Sequence, residues 1–178
     1  MRIKNVIMTV LLAACFTSVS FGKDFLYIMK FDKGEMFGDF NQAKAIVSLS
    51  KKNTKDGKLG IKIKYSEKGI WVGEWGPLRR KWNEFSKVTF YIFNEEEKER
   101  QIVFRIKGAK NPVNTPENTV EVKIKLPAGA SEHTVNIAAE LCMDGKSTLD
   151  LSSIAGYSFV NMEDDPLTIV VSEFKLLK

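Results

Sequence analysis

A chain of 178 residues with 44% apolar and 28% charged residues can build one domain with a real core, and its ordinary glycine and aromatic content excludes fibrous and disordered classes. The formal charge of +5 is spread, not clustered. Lysines alternate with apolar residues, as in Ile61-Lys62-Ile63-Lys64 and Val122-Lys123-Ile124-Lys125, which marks solvated strand faces and excludes a nucleic-acid-binding patch.

Residues 1–22 read as a signal peptide. Arg2 and Lys4 form a positive n-region, Val6 to Val19 is mostly apolar, and Ser18, Ser20 and Gly22 are small enough for a signal peptidase, with cleavage before Lys23. Leu12-Ala13-Ala14-Cys15 offers a second reading, a bacterial lipobox in which Cys15 carries lipid. Phe16 to Val19 continue the apolar run where a lipoprotein usually turns polar. The expected location is therefore secreted or periplasmic, in a bacterium; the alternative is a lipid anchor in the cell envelope. No later apolar run is long enough to span a bilayer. The mature domain, residues 23–178, keeps a charge of +3 and one cysteine, Cys142, so it forms no internal disulfide. Cys142 is expected to be a small buried apolar residue.

Phe25 to Met29 opens the domain as a strand, and Asp32 to Glu35 follows as an acidic turn. Lys44 to Ser50 alternates apolar and polar residues, and Asp56-Gly57 closes a polar loop. Leu59, Ile61, Ile63 and Tyr65 share one face of the next strand. Ile70-Trp71-Val72 follows, and Pro77 makes Gly76 to Asn83 a loop. Val88, Phe90 and Ile92 line one face and Thr89, Tyr91 and Phe93 the other, which predicts a central strand. Arg100 to Lys107 returns with Ile102, Phe104 and Ile106 inward, leaving Arg105 on the opposite face. A loop from Gly108 to Asn118 leads into a strand over Thr119 to Leu126. A turn over Pro127 to Ser131, a strand over His133 to Ala138 and a helical turn over Ala138 to Asp144 come next. Leu149 to Ile154 is a short turn, and Ala155 to Val160 and Leu167 to Leu176 are the last strands. About ten strands with recurrent turn signals and no ordinary amphipathic helix predict an all-β sandwich of two antiparallel sheets.

The order of features resembles the galactose-binding-like jelly-roll modules found as carbohydrate-binding modules attached to glycoside hydrolases. The marks are Phe31-Asp32, Gly57-Lys58-Leu59, Trp71-Val72-Gly73, Lys81-Trp82-Asn83-Glu84-Phe85 (similar to the family's D-W-S-x-Y step), Val88 to Asn94, Leu149 to Ile154 and the closing Leu167 to Leu177. The resemblance covers roughly residues 25–177 and implies a jelly-roll β-sandwich. It also implies a structural calcium, with Asp32 and Glu35 as oxygen ligands. Where the family's last strand carries an Asp-Asn pair this chain has Ser172-Glu173, so Glu173 substitutes or the site is lost.

Trp71, Trp75 and Trp82 are the candidate ligand contacts, because a sugar's C–H face packs on an aromatic plane. Glu74, Arg79, Arg80 and Asn83 lie in the same segment and can hydrogen-bond hydroxyls. Trp71 and Trp82 match family positions that pack under the loop, which is the competing reading for both, while Trp75 beside Gly76-Pro77 is the exposed one. The expected function is a secreted, non-catalytic module that recognises a polysaccharide or oligosaccharide. The alternatives are a cell-envelope structural or adhesion lipoprotein, or a small polysaccharide-degrading enzyme. For the last, Glu74 and Glu84 are nominees for a carboxylate pair, and Tyr91, Arg105 and His133 for a lyase, with nothing that singles out either set. One histidine and one mature cysteine suggest no zinc site.

Overall fold

The computed structural model describes residues 24–29, 31, 37–40, 44–77, 80–110 and 114–178. Residues 1–22, read above as a signal peptide and including Cys15, lie outside the described residues, as do Asp32, Glu35 and Arg79. Eleven strands are described: β1 (Phe25–Met29), β2 (Asp39–Phe40), β3 (Ala45–Ser50), β4 (Gly60–Tyr65), β5 (Trp71–Trp75), β6 (Lys87–Asn94), β7 (Arg100–Gly108), β8 (Thr119–Leu126), β9 (Gly129–Val135), β10 (Ile154–Asn161) and β11 (Leu167–Leu177). Every pairing is antiparallel. One sheet runs β3-β4-β11-β6-β9 with β1 also on β11; the other runs β2-β5-β10-β7-β8. Among the described residues no helix is long and apolar enough to cross a membrane.

Strand alternation builds the core. Ile61, Ile63 and Tyr65 of β4, Phe90 and Ile92 of β6, and Ile102, Phe104 and Ile106 of β7 are all buried, as period two requires. The sheets meet through aromatic rings: Phe90 and Phe174 from one face Phe104, Phe159 and Tyr157 from the other, with centroids 5.0 to 5.8 Å apart. Tyr65 crosses between the sheets, its hydroxyl donating to the Phe159 carbonyl at 3.1 Å, and burial pushes its phenol far above the ordinary value. Cys142 is buried and burial raises its thiol, as expected for a small apolar residue.

Two expectations are corrected. No helical turn forms over 138–144; the chain makes turns and an isolated Leu141–Thr148 bridge. Asp144 fixes the turn that follows: its carboxylate accepts the Lys146 and Ser147 amides (3.0 and 2.9 Å) and the Ser147 hydroxyl (2.6 Å). The strand predicted over His133 to Ala138 starts and ends earlier, at Gly129–Val135, because β9 is set by its register on β6, with Asn94 opposite Gly129 and Val88 opposite Val135.

Strand β11 changes neighbour midway: residues 167–171 pair with β4 and 174–177 with β1. Between them Ser172 pairs with Tyr91 and Lys175 with Thr89, so β11 carries one extra residue against β6. Glu173 adopts the left-handed conformation there (φ 54°). Its side chain is only 10% exposed and lies 3.1 Å from Lys58, 3.2 Å from Lys55 and 3.5 Å from Lys175. Burial pushes this carboxyl up, but the Lys58 and Lys55 ammoniums reverse the effect and leave it below the ordinary value. The sign follows: a depressed folded value contributes stability above the ordinary pKa of 4.5, lost as the pH falls through the folded value. Glu173→Gln is therefore expected to melt lower than the parent near neutral pH, with the gap closing as acid protonates the parent carboxylate. Thermal melts from about pH 7 to about pH 3 check this.

Candidate functional site

The outer face of the β2-β5-β10-β7-β8 sheet carries the site. Its register arranges side chains in three rows. Trp75 of β5, Gly156 of β10, Lys107 of β7 and Thr119 of β8 stand abreast. The next row is Asp39, Gly73, Ser158, Arg105 and Glu121, and the third is Trp71, Val160 and Val103. Rows two residues apart lie about 6.6 Å from each other, so the two indoles stand about 13 Å apart along β5.

Small residues make the floor. A Cβ on Gly73 would lie 2.0 Å from the Tyr157 carbonyl oxygen, and one on Gly156 would lie 2.8 Å from Cε3 of Trp75, so both positions admit only glycine without rearrangement. The Trp75 ring consequently lies against bare β10 backbone. Trp75 is 48% exposed and Trp71 39%. Together with Asp39, Glu74, Arg105 and Ser158 they border a hollow of about 350 Å³.

The polar groups around the hollow are held in place. The Trp75 amide donates to Asp39 Oδ2. Glu74 Oε2 accepts the Tyr157 hydroxyl at 2.8 Å. Arg105 donates through Nε to Glu121 Oε1 at 2.6 Å. Lys107 Nζ lies 5.4 Å from the Trp75 ring centroid and donates to Asn114 Oδ1 at 2.5 Å. Burial, and secondarily the Arg105 charge, push the Lys107 ammonium below its ordinary value.

Of the candidate ligand contacts, Trp71, Glu74 and Trp75 border this hollow, and Trp71 is open to solvent instead of packed in the core. Trp82 is a correction: it is fully buried, stacked near Tyr157 at 5.9 Å, and its indole cannot touch a ligand. Its amide donates to the Leu151 carbonyl at 2.8 Å, which ties the residue to the turn before β10. Arg80 is exposed and does not line the hollow; its Nε approaches the Pro77 carbonyl at 3.4 Å. Nothing in the sequence pattern singles out Asp39, Lys107, Asn114 and Ser158. The available signal was alternation on β7, which sets Arg105 and Lys107 opposite Ile102, Phe104 and Ile106.

The nominated lyase trio is not assembled. Tyr91 and His133 sit on β6 and β9 of the other sheet from Arg105, and the half-buried His133 ring packs 5.8 Å from Phe90. Glu173 does not suit calcium, because three lysines already occupy its carboxylate's surroundings and repel a cation. Among the described residues no three His, Cys, Asp or Glu side chains converge on a metal site.

No protein-family model matches the sequence, and no curated protein matches it. Solved structures do. One similar structure is a family 11 carbohydrate-binding module from Clostridium thermocellum in complex with a β-1,3-1,4-mixed-linked tetrasaccharide. Its TM-score is 0.62 at 18% identity, over 75% of this chain and 82% of that one. A family 30 carbohydrate-binding module of a cellulosomal cellulase of Clostridium thermocellum matches at TM-score 0.53 and 16% identity, over 81% of this chain and 85% of that one. An exo-β-agarase matches at TM-score 0.66 and 15% identity, over 86% of this chain but 24% of the larger enzyme. The chain has the β-sandwich fold of carbohydrate-binding modules, as its sequence resemblance implies.

Proposed function

We propose that this chain is an exported, non-catalytic module that binds a polysaccharide or oligosaccharide in the hollow on the five-stranded sheet. One observation carries the reading: two part-exposed indoles on one strand flank a floor built from Gly73, Gly156 and Ser158. Exposed tryptophan is costly to leave in water and suits a partner with a flat apolar face. A pyranose presents such a face with hydroxyls around its edge, and Asp39, Arg105 and Asn114 supply acceptors and donors at the rim. The fold's likeness to carbohydrate-binding modules supports the same reading. Titration calorimetry of the mature chain against a panel of neutral and acidic polysaccharides tests it. Saturable binding to at least one glycan is expected, and a folded protein that binds none overturns it.

A second reading, a module tethered to the cell envelope, is favoured by Leu12 to Cys15. Mass spectrometry of the mature protein separates the two: a chain beginning at Lys23 is free, and a lipid-modified chain beginning at Cys15 is anchored.

A further inference from the structure

We propose that Lys107 reads an anionic substituent on the bound sugar, a uronate carboxylate or a sulfate ester, so that the hollow prefers acidic polysaccharides to neutral ones. This rests on the glycan reading above and adds the charge of the ligand to it.

The argument begins with placement. Lys107 stands in the same row as Trp75 with only Gly156 between them, and its ammonium lies 5.4 Å from the indole centroid. A sugar ring that enters the hollow against Trp75 therefore meets this cation. Partnership comes next. Of the nearby acids, Glu121 pairs with Arg105, while Glu74 and Asp39 accept from neutral donors, the Tyr157 hydroxyl and the Trp75 amide. Lys107 donates instead to a neutral group, Asn114 Oδ1. Among the described residues that border the hollow, it is the cation that no carboxylate pairs.

An ammonium has three donors, and one is used by Asn114. A carboxylate or sulfate offers several acceptor oxygens and makes charge-assisted bonds about twice as strong as neutral ones. A hydroxyl presented at the same point leaves the charge uncompensated in a partly desolvated place. Burial and the neighbouring Arg105 charge already weaken the ammonium's hold on its proton. An arriving anion reverses that tendency, so protonation and ligand binding reinforce one another. Asn114, on the loop before β8, steers the ammonium toward the hollow without neutralising it.

The test uses two matched pairs of polymers: polygalacturonate with its carboxyl-reduced form, and a sulfated galactan with its desulfated form. The parent protein is expected to bind the charged member of at least one pair about tenfold or more tightly than its neutral partner, with the advantage falling as salt is added. Which pair shows it names the source of the charge. Lys107→Gln is expected to erase that preference while melting at the parent temperature, and Lys107→Arg to keep it. If Lys107→Gln weakens charged and neutral members alike, Lys107 merely props the indole and the proposal falls. Equal or tighter binding of the neutral members by the parent overturns it and leaves the glycan reading standing. So does binding none of the four while binding another neutral glycan of the wider panel. Binding no glycan at all overturns both.

Discussion

Trp75→Ala is expected to lower glycan affinity by roughly 30-fold while leaving the melting temperature almost unchanged. The separation of the two effects follows from exposure. The indole is 48% exposed and lies on the outer face, so its removal opens no cavity between the sheets. Its backbone bond to Asp39 uses the amide and survives the substitution. A stacked sugar loses on the order of 100 Å² of apolar contact, about 2 kcal/mol at the usual area coefficient. Trp71→Ala at the far end of the hollow is expected to act in the same direction, and more weakly, because Trp71 is less exposed and lacks the neighbouring Lys107. Calorimetry with the best ligand of the panel, beside thermal melts of each variant, gives both readouts. Undiminished binding by Trp75→Ala would remove the hollow as the binding site.

Trp82→Ala is expected to do the reverse, destabilising the fold by about 3–5 kcal/mol. Its indole is fully buried in the aromatic core near Tyr157. Its amide donates to the Leu151 carbonyl at 2.8 Å, and its own carbonyl accepts the Phe85 amide at 2.9 Å. Both are backbone bonds that alanine keeps, so the cost lies in the indole's lost packing. Truncation leaves a large hole where the surrounding strands have little freedom to collapse, because both sheets hold them. For a domain of this size the loss corresponds to a melting temperature lower by about 6–20 °C. Protein that remains folded at low temperature is expected to bind glycan as the parent does. A melting temperature within a degree or so of the parent would contradict the burial argument.

These two tryptophans show how far sequence pattern reaches. Trp71 and Trp75 are four residues apart on a strand, so period two puts them on one face. Trp82 lies beyond Pro77 in a loop, where no period applies, and its direction is set by docking in the core beside Tyr157. Alternation makes Arg105 and Lys107 the outward residues of β7, yet lysines also stand on β4, β6, β8 and β11. What distinguishes them is that β10 pairs with β5 on one side and β7 on the other, a contact between segments dozens of residues apart. Glu173 is a similar case. Reading the last strand as regular makes it an ordinary strand position, whereas the bulge turns it into the centre of a lysine cluster.

Alternation of apolar and polar residues, glycines and prolines at the turns, and inward-facing aromatics were enough to determine a two-sheet β-sandwich with Phe90 and Phe104 inside. These features are local, and a strand's two faces are set by its own residues. The pairing order of the strands decided everything about the hollow: which indoles look out, which glycines lie beneath them, and which cation stands at their edge. Pairing depends on the summed fit of distant segments across both sheets, so no single stretch of the chain encodes it.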